Sequence, residues 1–300
     1  MIMTMALGLP KTLHVVFVTG DCEYRSEISM PMLAAILEKH HGMKCSFCFA
    51  TDEKGERKPK YLQNISGLES LESADLAVFF LRYRQLPPEQ LQRILSYVNS
   101  GKPCVGFRTT THAFRYPSGD ETKWNDGFGR SVFGQKWISH HGHDSSTRAF
   151  LAVGDHPIVR GVAPEFFCRS WLYQVTPLAG DCTTLAIGQA VKGEKPDGQL
   201  FGTPNPVAWT KTHHGARVFF TTLGHPKDFE NEAVRKLALN GVFWALGKES
   251  EIPKGGVKCD PVTPYVAPET TMAVPDPTLR KSGERLYARS EEGNPAGARE

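Results

Sequence analysis

Gly101-Lys102-Pro103-Cys104-Val105-Gly106-Phe107-Arg108-Thr109-Thr110-Thr111-His112 reads as an apolar strand over 103–107 that runs into a tight turn presenting an arginine. In many α/β enzymes a turn of this kind holds a Ser or Cys nucleophile above the sheet. Arginine cannot attack a carbonyl: its guanidinium stays protonated and offers a planar fork of donors to carboxylates, phosphates or sugar hydroxyls. The position therefore points to binding. No G-x-S-x-G, G-x-G-x-x-G or G-K-[ST] pattern occurs, which removes Ser or Cys triads on this sheet and nucleotide-phosphate cradles from consideration.

Outward from this segment the pattern alternates. The run 13–20 is almost wholly apolar, as in a strand covered on both faces, and 26–40 carries Met32, Leu33, Ile36 and Leu37 at helical spacing before Gly42 stops it. Strands are predicted at 44–50 and 75–81 and a short helix at 68–73. A further helix is opened by Pro87 and Pro88, and in it Leu91, Ile94, Leu95 and Val98 share a face. This β-α-β-β-α-β order predicts an α/β fold with a doubly wound, mainly parallel sheet flanked by helices, of flavodoxin-like type. The second half differs. Residues 116–133 are rich in Gly and aromatics and read as a long functional loop, while short strands at 147–153, 171–175, 183–189, 206–210 and 217–222 predict an antiparallel extension. His213-His214-Gly215 marks a hairpin turn, and Val234, Leu237, Ala238, Gly241, Val242 and Ala245 form the apolar face of a last helix. One domain over 11–252 is expected. The tail over 253–300, with seven prolines, is expected to be extended or disordered.

At 300 residues the chain is long enough to bury roughly three quarters of its unfolded surface. A net charge of +3 with both signs interspersed leaves no basic stripe for a phosphate backbone, so nucleic acid is not an expected partner. No apolar run approaches the roughly 18 residues of a membrane span, and 1–10 is too short and too weakly basic for a signal peptide. A cytoplasmic protein without membrane association is expected, with a homo-oligomer left open. Seven cysteines, an odd set placed mostly in apolar runs, read as buried reduced thiols, with Cys45 and Cys48 packing in a strand.

In a doubly wound sheet the site lies beyond the carboxyl ends of the strands. That rule gathers Asp21, Glu23 and Tyr24 after the first strand, Arg82 and Arg84 after the third, and Arg108 and His112 after the fourth. Arg108 has a binding reading and a structural one, in which it ties strand ends together through backbone carbonyls or a carboxylate. His112, with an ordinary pKa near ~6.5, suits a general acid or base, against the plainer reading of a satisfied structural donor. His140, His141 and His143 offer proton transfer, substrate contact or two metal ligands, or form a plain polar loop; H-H-x-H is not a zinc spacing and a metal is the less favoured reading. Trp124, Trp137 and Tyr116 suit a stacking platform for a sugar ring or the core equally, and His225 lies at another strand end.

Together these segments resemble the trehalose-utilisation ThuA-like family. The matching residues are Gly106-Phe107-Arg108 with Thr111-His112, His156-Pro157-Ile158-Val159-Arg160-Gly161-Val162, Pro206-Val207-Ala208-Trp209-Thr210, Gly215 to His225, and Leu239-Asn240-Gly241-Val242-Phe243-Trp244-Ala245-Leu246-Gly247. The resemblance implies the fold of class I glutamine amidotransferases without their catalytic cysteine, and so no glutamine amidotransferase activity. The chain departs from the family at Arg108, where many members carry histidine, and at Arg169-Ser170, where an acidic pair precedes the tryptophan. It implies a small-molecule carbohydrate partner, a sugar or keto-sugar, processed by non-covalent acid/base chemistry as a hydrolase, lyase or isomerase. His112 and His141 are then the candidate proton carriers, with Glu23 assisting. Arg108, Arg82, Arg84, Tyr24, Trp124, His140, His143 and His225 are the candidate substrate contacts. No cofactor is expected. A non-catalytic sugar-binding or regulatory module is the first alternative, and a hydrolase with a divalent metal at His140, His141 and His143 the second.

Overall fold

A computed structural model describes residues 11–271. The chain runs β1 (His14–Gly20), α1 (Ser26–His41), β2 (Lys44–Ala50), β3 (Ile65–Ser66), β4 (Leu76–Leu81), α2 (Pro88–Asn99), β5 (Cys104–Phe107) and α3 (Lys123–Phe133). It continues through β6 (Ser139–His140), β7 (Ser145–Leu151), β8 (Glu165–Cys168), β9 (Tyr173–Gln174), β10 (Thr183–Lys192), β11 (Leu200–His213), β12 (Ala216–Thr221) and α4 (Glu232–Ala245). Ten strands form one sheet in the order β3-β2-β1-β4-β5-β12-β11-β10-β7-β8, with β6 and β9 as a separate pair. From β2 through β12 the neighbours are parallel, and from β12 to β8 they are antiparallel. This is the α/β fold predicted, parallel core and antiparallel extension included.

The continuous apolar runs have a direct cause. Successive strand side chains point to opposite faces, and both faces are covered. Val15 and Phe17 of β1 with Leu76, Val78 and Phe80 of β4 pack against α1 and α4, while Val16, Val18, Ala77, Phe79 and Leu81 pack against α2 and α3. A strand buried twice has no polar face. The chain leaves β1 outward to β2 and returns to β4 on the other side of β1, so the topological switch lies between β1 and β4, and in open α/β sheets ligands bind beyond the carboxyl ends of the strands at such a switch.

Three local features differ from the sequence expectation. The stretch 116–133 is not a loop throughout, because 123–133 is helix α3. Its glycines suggest a loop, yet Gly129 serves packing: a Cβ there would lie 2.2 Å from the Thr111 carbonyl oxygen, so glycine is what lets the helix lie on the turn after β5. The strand expected at 171–175 shrinks to Tyr173–Gln174, paired with Ser139–His140. The strand expected at 206–210 extends over Leu200–His213, with breaks of register where Pro206 faces Ile187.

The hairpin at His214 and Gly215 forms with both residues at positive φ. The seven cysteines are free thiols, and burial pushes Cys45, Cys48 and Cys104 up to about 12. Beyond Ile252 the chain follows α4 and α1: Val257 N–H donates to Asn240 Oδ1, the Cys259 carbonyl accepts from Arg235, and Tyr265 bonds Ser29 and the Pro226 carbonyl. It then reaches the end of β1, where Thr271 N–H donates to the Glu23 carbonyl. Residues 272–300 of the expected tail, and the segment 1–10, lie outside the described residues. Among the described residues no helix is long and apolar enough to cross a membrane.

Candidate functional site

The turn after β5 is held from below. Arg108 sits at φ 38°, a left-handed conformation that L-residues adopt at a cost of about 1–2 kcal/mol. Thr110 fixes it by donating to the Phe79 carbonyl and accepting from Leu81 N–H, and the Thr111 hydroxyl donates back to the Arg108 carbonyl. The Arg108 side chain turns inward and is 0% exposed. Its Nη1 donates to the carbonyls of Trp171 and Thr222 at 3.2 and 2.9 Å and its Nη2 to Tyr24 Oη at 3.1 Å. The guanidinium carbon lies 4.4 Å from the ring centres of both Tyr24 and Tyr173. It ties three strand ends together, the structural reading of this residue, and nothing of it is open to solvent.

Above this clamp runs a chain of polar and aromatic contacts. Glu23 pairs with Arg82, Oε1 to Nη2 at 2.7 Å, and the Arg82 guanidinium lies 4.1 Å from the Tyr83 ring centre. The Tyr83 ring lies 5.1 Å from that of His112, which is also 5.4 Å from Trp137 and 6.1 Å from Tyr173. His112 is buried, with Nδ1 3.2 Å from Thr111 Oγ1. Burial first, then the charges of Arg82, Arg108 and Arg115, hold its pKa well below the ordinary imidazole value, so the ring is neutral at physiological pH. Burial raises the Glu23 carboxyl against the opposing pull of Arg82.

The β6–β9 pair delivers the other wall. His140 lies 6.1 Å from Trp137 and 5.1 Å from both His143 and Trp171, and His143 stacks on Trp171 at 4.4 Å. Burial and the neighbouring His143 lower His140 to about 4. His225 stands 6.1 Å from Tyr24 and caps the turn after β12 by accepting from Lys227 N–H, its pKa lowered by burial. Beneath it the buried Asp228 accepts from the N–H groups of Arg169, Ser170, Gly224 and His225, which pins the strand-end loops to each other.

Glu23, Tyr24, Arg82, Arg108, His112, His140, His143 and His225 therefore come together, and three of the other candidates do not. Arg84 is buried and directs its donors to the carbonyls of Arg82, Tyr61 and Pro59. Tyr83, at φ 53°, separates it from Arg82; in a regular strand the two would share a face. Trp124 belongs to α3 and packs against the core on the α2 side. His141 turns onto Phe201 and Gly202 of β11. Among the described residues no three His, Cys, Asp or Glu side chains converge on a metal-sized point; His140 and His143 stack instead of converging.

Sequence reasoning did not select Tyr83, Arg115, Trp171 or Tyr173. Tyr83 directly follows Arg82 and Arg115 directly follows Phe114, and that adjacency to a strand end is the signal the sequence carries for them. Trp171 and Tyr173 had none beyond being aromatic. Two clefts, of about 600 Å³ around His41 and Lys258 and about 920 Å³ beside Arg160, share no residue with this strand-end cluster.

Comparison with known proteins agrees with this architecture. Among solved structures, a ThuA-like protein from Bacteroides uniformis ATCC 8492 superposes with a TM-score of 0.54 at 15% identity, covering 81% of this chain and 95% of that one. A ThuA-like protein from Parabacteroides merdae ATCC 43184 gives 0.50 at 21% identity, covering 87% and 96%. At these identities the likeness is one of fold. No curated protein sequence matches the chain. The family model for ThuA, described as trehalose utilisation, matches residues 14–245 and so takes in both the parallel core and the extension that supply this cluster. The chain belongs to the ThuA family.

Proposed function

We propose that this strand-end cluster forms a basin that acts on a sugar or keto-sugar by proton transfer without a covalent intermediate. Family membership suggests a role related to trehalose utilisation; the reaction is our reading of the site. The observation that carries it is His112: a neutral imidazole inside a ring of Tyr83, Trp137 and Tyr173, beside the Glu23–Arg82 pair, at the switch point of the sheet. Aromatic faces suit the C–H face of a pyranose. The neutral ring takes a proton from a hydroxyl, or from carbon beside a carbonyl, and returns it at the next step. Glu23, held in place by Arg82, positions the reacting oxygen. Arg108 fixes Tyr24 and Tyr173 and thereby the shape of the floor.

A thermal-shift screen of mono- and disaccharides and their keto forms identifies a ligand, and turnover of that ligand is then compared in wild type and His112→Ala. Proton-transfer groups contribute typically about 10²–10⁴-fold, and a loss of that order with ligand binding retained is the expected result. Equal turnover in the variant would remove His112 from the chemistry. The inward-facing Arg108 favours a second reading, a sugar-binding or regulatory module on the same scaffold. It would show as ligand binding by wild type with no product formed.

A further inference from the structure

The acids around the basin all have partners, and among the described residues one of its arginines, Arg115, has no acid partner. Asp21 is enclosed by the N–H groups of Glu23, Tyr24 and Ser26, and Asp228 by four N–H groups and the Ser170 hydroxyl. Glu23 is taken by Arg82. Against these stand the guanidiniums of Arg82, Arg108 and Arg115. Arg108 meets carbonyls and a phenol only. Arg115 is half-buried, its guanidinium 4.8 Å from the same Tyr83 ring that Arg82 covers, and among the described residues no acid pairs with it. The Nε groups of Arg82 and Arg108 are buried without an acceptor. A guanidinium stacked on an aromatic ring keeps its in-plane donors free for an incoming oxyanion.

Building on the sugar-processing reading, we infer that the basin's ligand carries an anionic group, a carboxylate or phosphate on the sugar, which binds Arg115 beside the Tyr83 ring. The anion gives Arg115 the acid partner that the described residues do not supply. It also sets the sugar's orientation, with its ring against Trp137 and Tyr173 and its reacting atom near His112. Arg115 is then a specificity-determining residue, selecting acidic or phosphorylated sugars over neutral ones.

Calorimetric titration of the full chain with D-glucose, D-glucuronate, D-glucose 6-phosphate and inorganic phosphate tests this, in wild type and in Arg115→Gln and Arg115→Lys. One of the two anionic sugars should bind at least about tenfold tighter than glucose, as a charge-assisted pair implies. Which one does so separates carboxylate from phosphate, and inorganic phosphate alone should bind more weakly than the sugar that carries it. Arg115→Gln should erase the advantage, Arg115→Lys should keep part of it, and raising the salt should shrink it. Glucose binding as tightly as both anionic sugars, or an advantage that survives in a folded Arg115→Gln, would overturn the inference. A neutral sugar turned over through His112 would in that case leave the proposed function standing. Anionic sugars bound through Arg115 but never turned over would do the reverse.

Discussion

Arg108 stands where related architectures place a nucleophile, but its guanidinium contacts carbonyls and phenol rings inside the protein. Arg108→Met keeps the bulk and removes three hydrogen bonds, leaving the Trp171 and Thr222 carbonyls and the Tyr24 hydroxyl without their partner. Such losses cost about 1–3 kcal/mol each, offset by no longer burying an unbalanced charge, so a net destabilisation of about 2–4 kcal/mol is expected in urea unfolding. An unchanged midpoint would mean the clamp contributes no net stability. At His112 the expectation concerns pH. A base whose pKa is held well below the ordinary imidazole value remains unprotonated as acid is added, so turnover should hold its plateau below about pH 6.5 and fall only at lower pH. A profile that falls with an apparent pKa near ~6.5 would place the proton carrier elsewhere.

At the scale of elements, α3 and the turn after β5 are fitted to each other through Gly129. Gly129→Ala places a methyl 2.2 Å from the Thr111 carbonyl, and backbone on both sides must move. Overpacking of this kind costs typically about 1–3 kcal/mol, and because the displaced turn carries His112, ligand response should weaken together with stability. Gly127→Ala, where the nearest atom would be 3.9 Å away, should be neutral or mildly stabilising and serves as the control. The same helix shows where sequence reading reaches its limit. The β1, β4 and β5 strands are legible because burial on two faces writes itself as unbroken apolar sequence. In α3, Gly127 and Gly129 resemble loop residues, and only the neighbouring carbonyl explains Gly129. The site was legible to the extent that strand ends define it. The directions of Arg82 and Arg84 were not, since they depend on the left-handed bend at Tyr83, and the inward turn of Arg108 was one of two readings that its position at a strand end left open.

For the whole molecule, acid should be destabilising, and the sign follows from the histidines. His41, His112, His140, His141, His156, His213 and His225 all have pKa values lowered by burial. Below about pH 6.5 the unfolded chain takes up protons that the folded one refuses, so their contribution is present above that pH and is lost as pH falls toward their folded values. Asp21 and Glu23, with raised pKa values, act in the opposite sense and fade as pH rises above their ordinary range, but they are fewer. Melting temperatures should therefore decline steadily between about pH 6.5 and 4, and a flat curve in that interval would contradict the burial of these rings.

The partners of Arg108 also say something about time. Trp171, Tyr24 and Thr222 lie 63, 84 and 114 positions away along the chain, and β5, the strand that carries the turn, pairs with β12 from the far half. Contacts so distant must wait for large loops to close, which makes such topologies slow to assemble. The basin is thus a product of the completed fold and not of any portion of it: during refolding, native tyrosine and tryptophan fluorescence from its walls should appear after most helical circular dichroism has recovered. Fragments cut between α2 and β12 should show no ligand response until they are recombined.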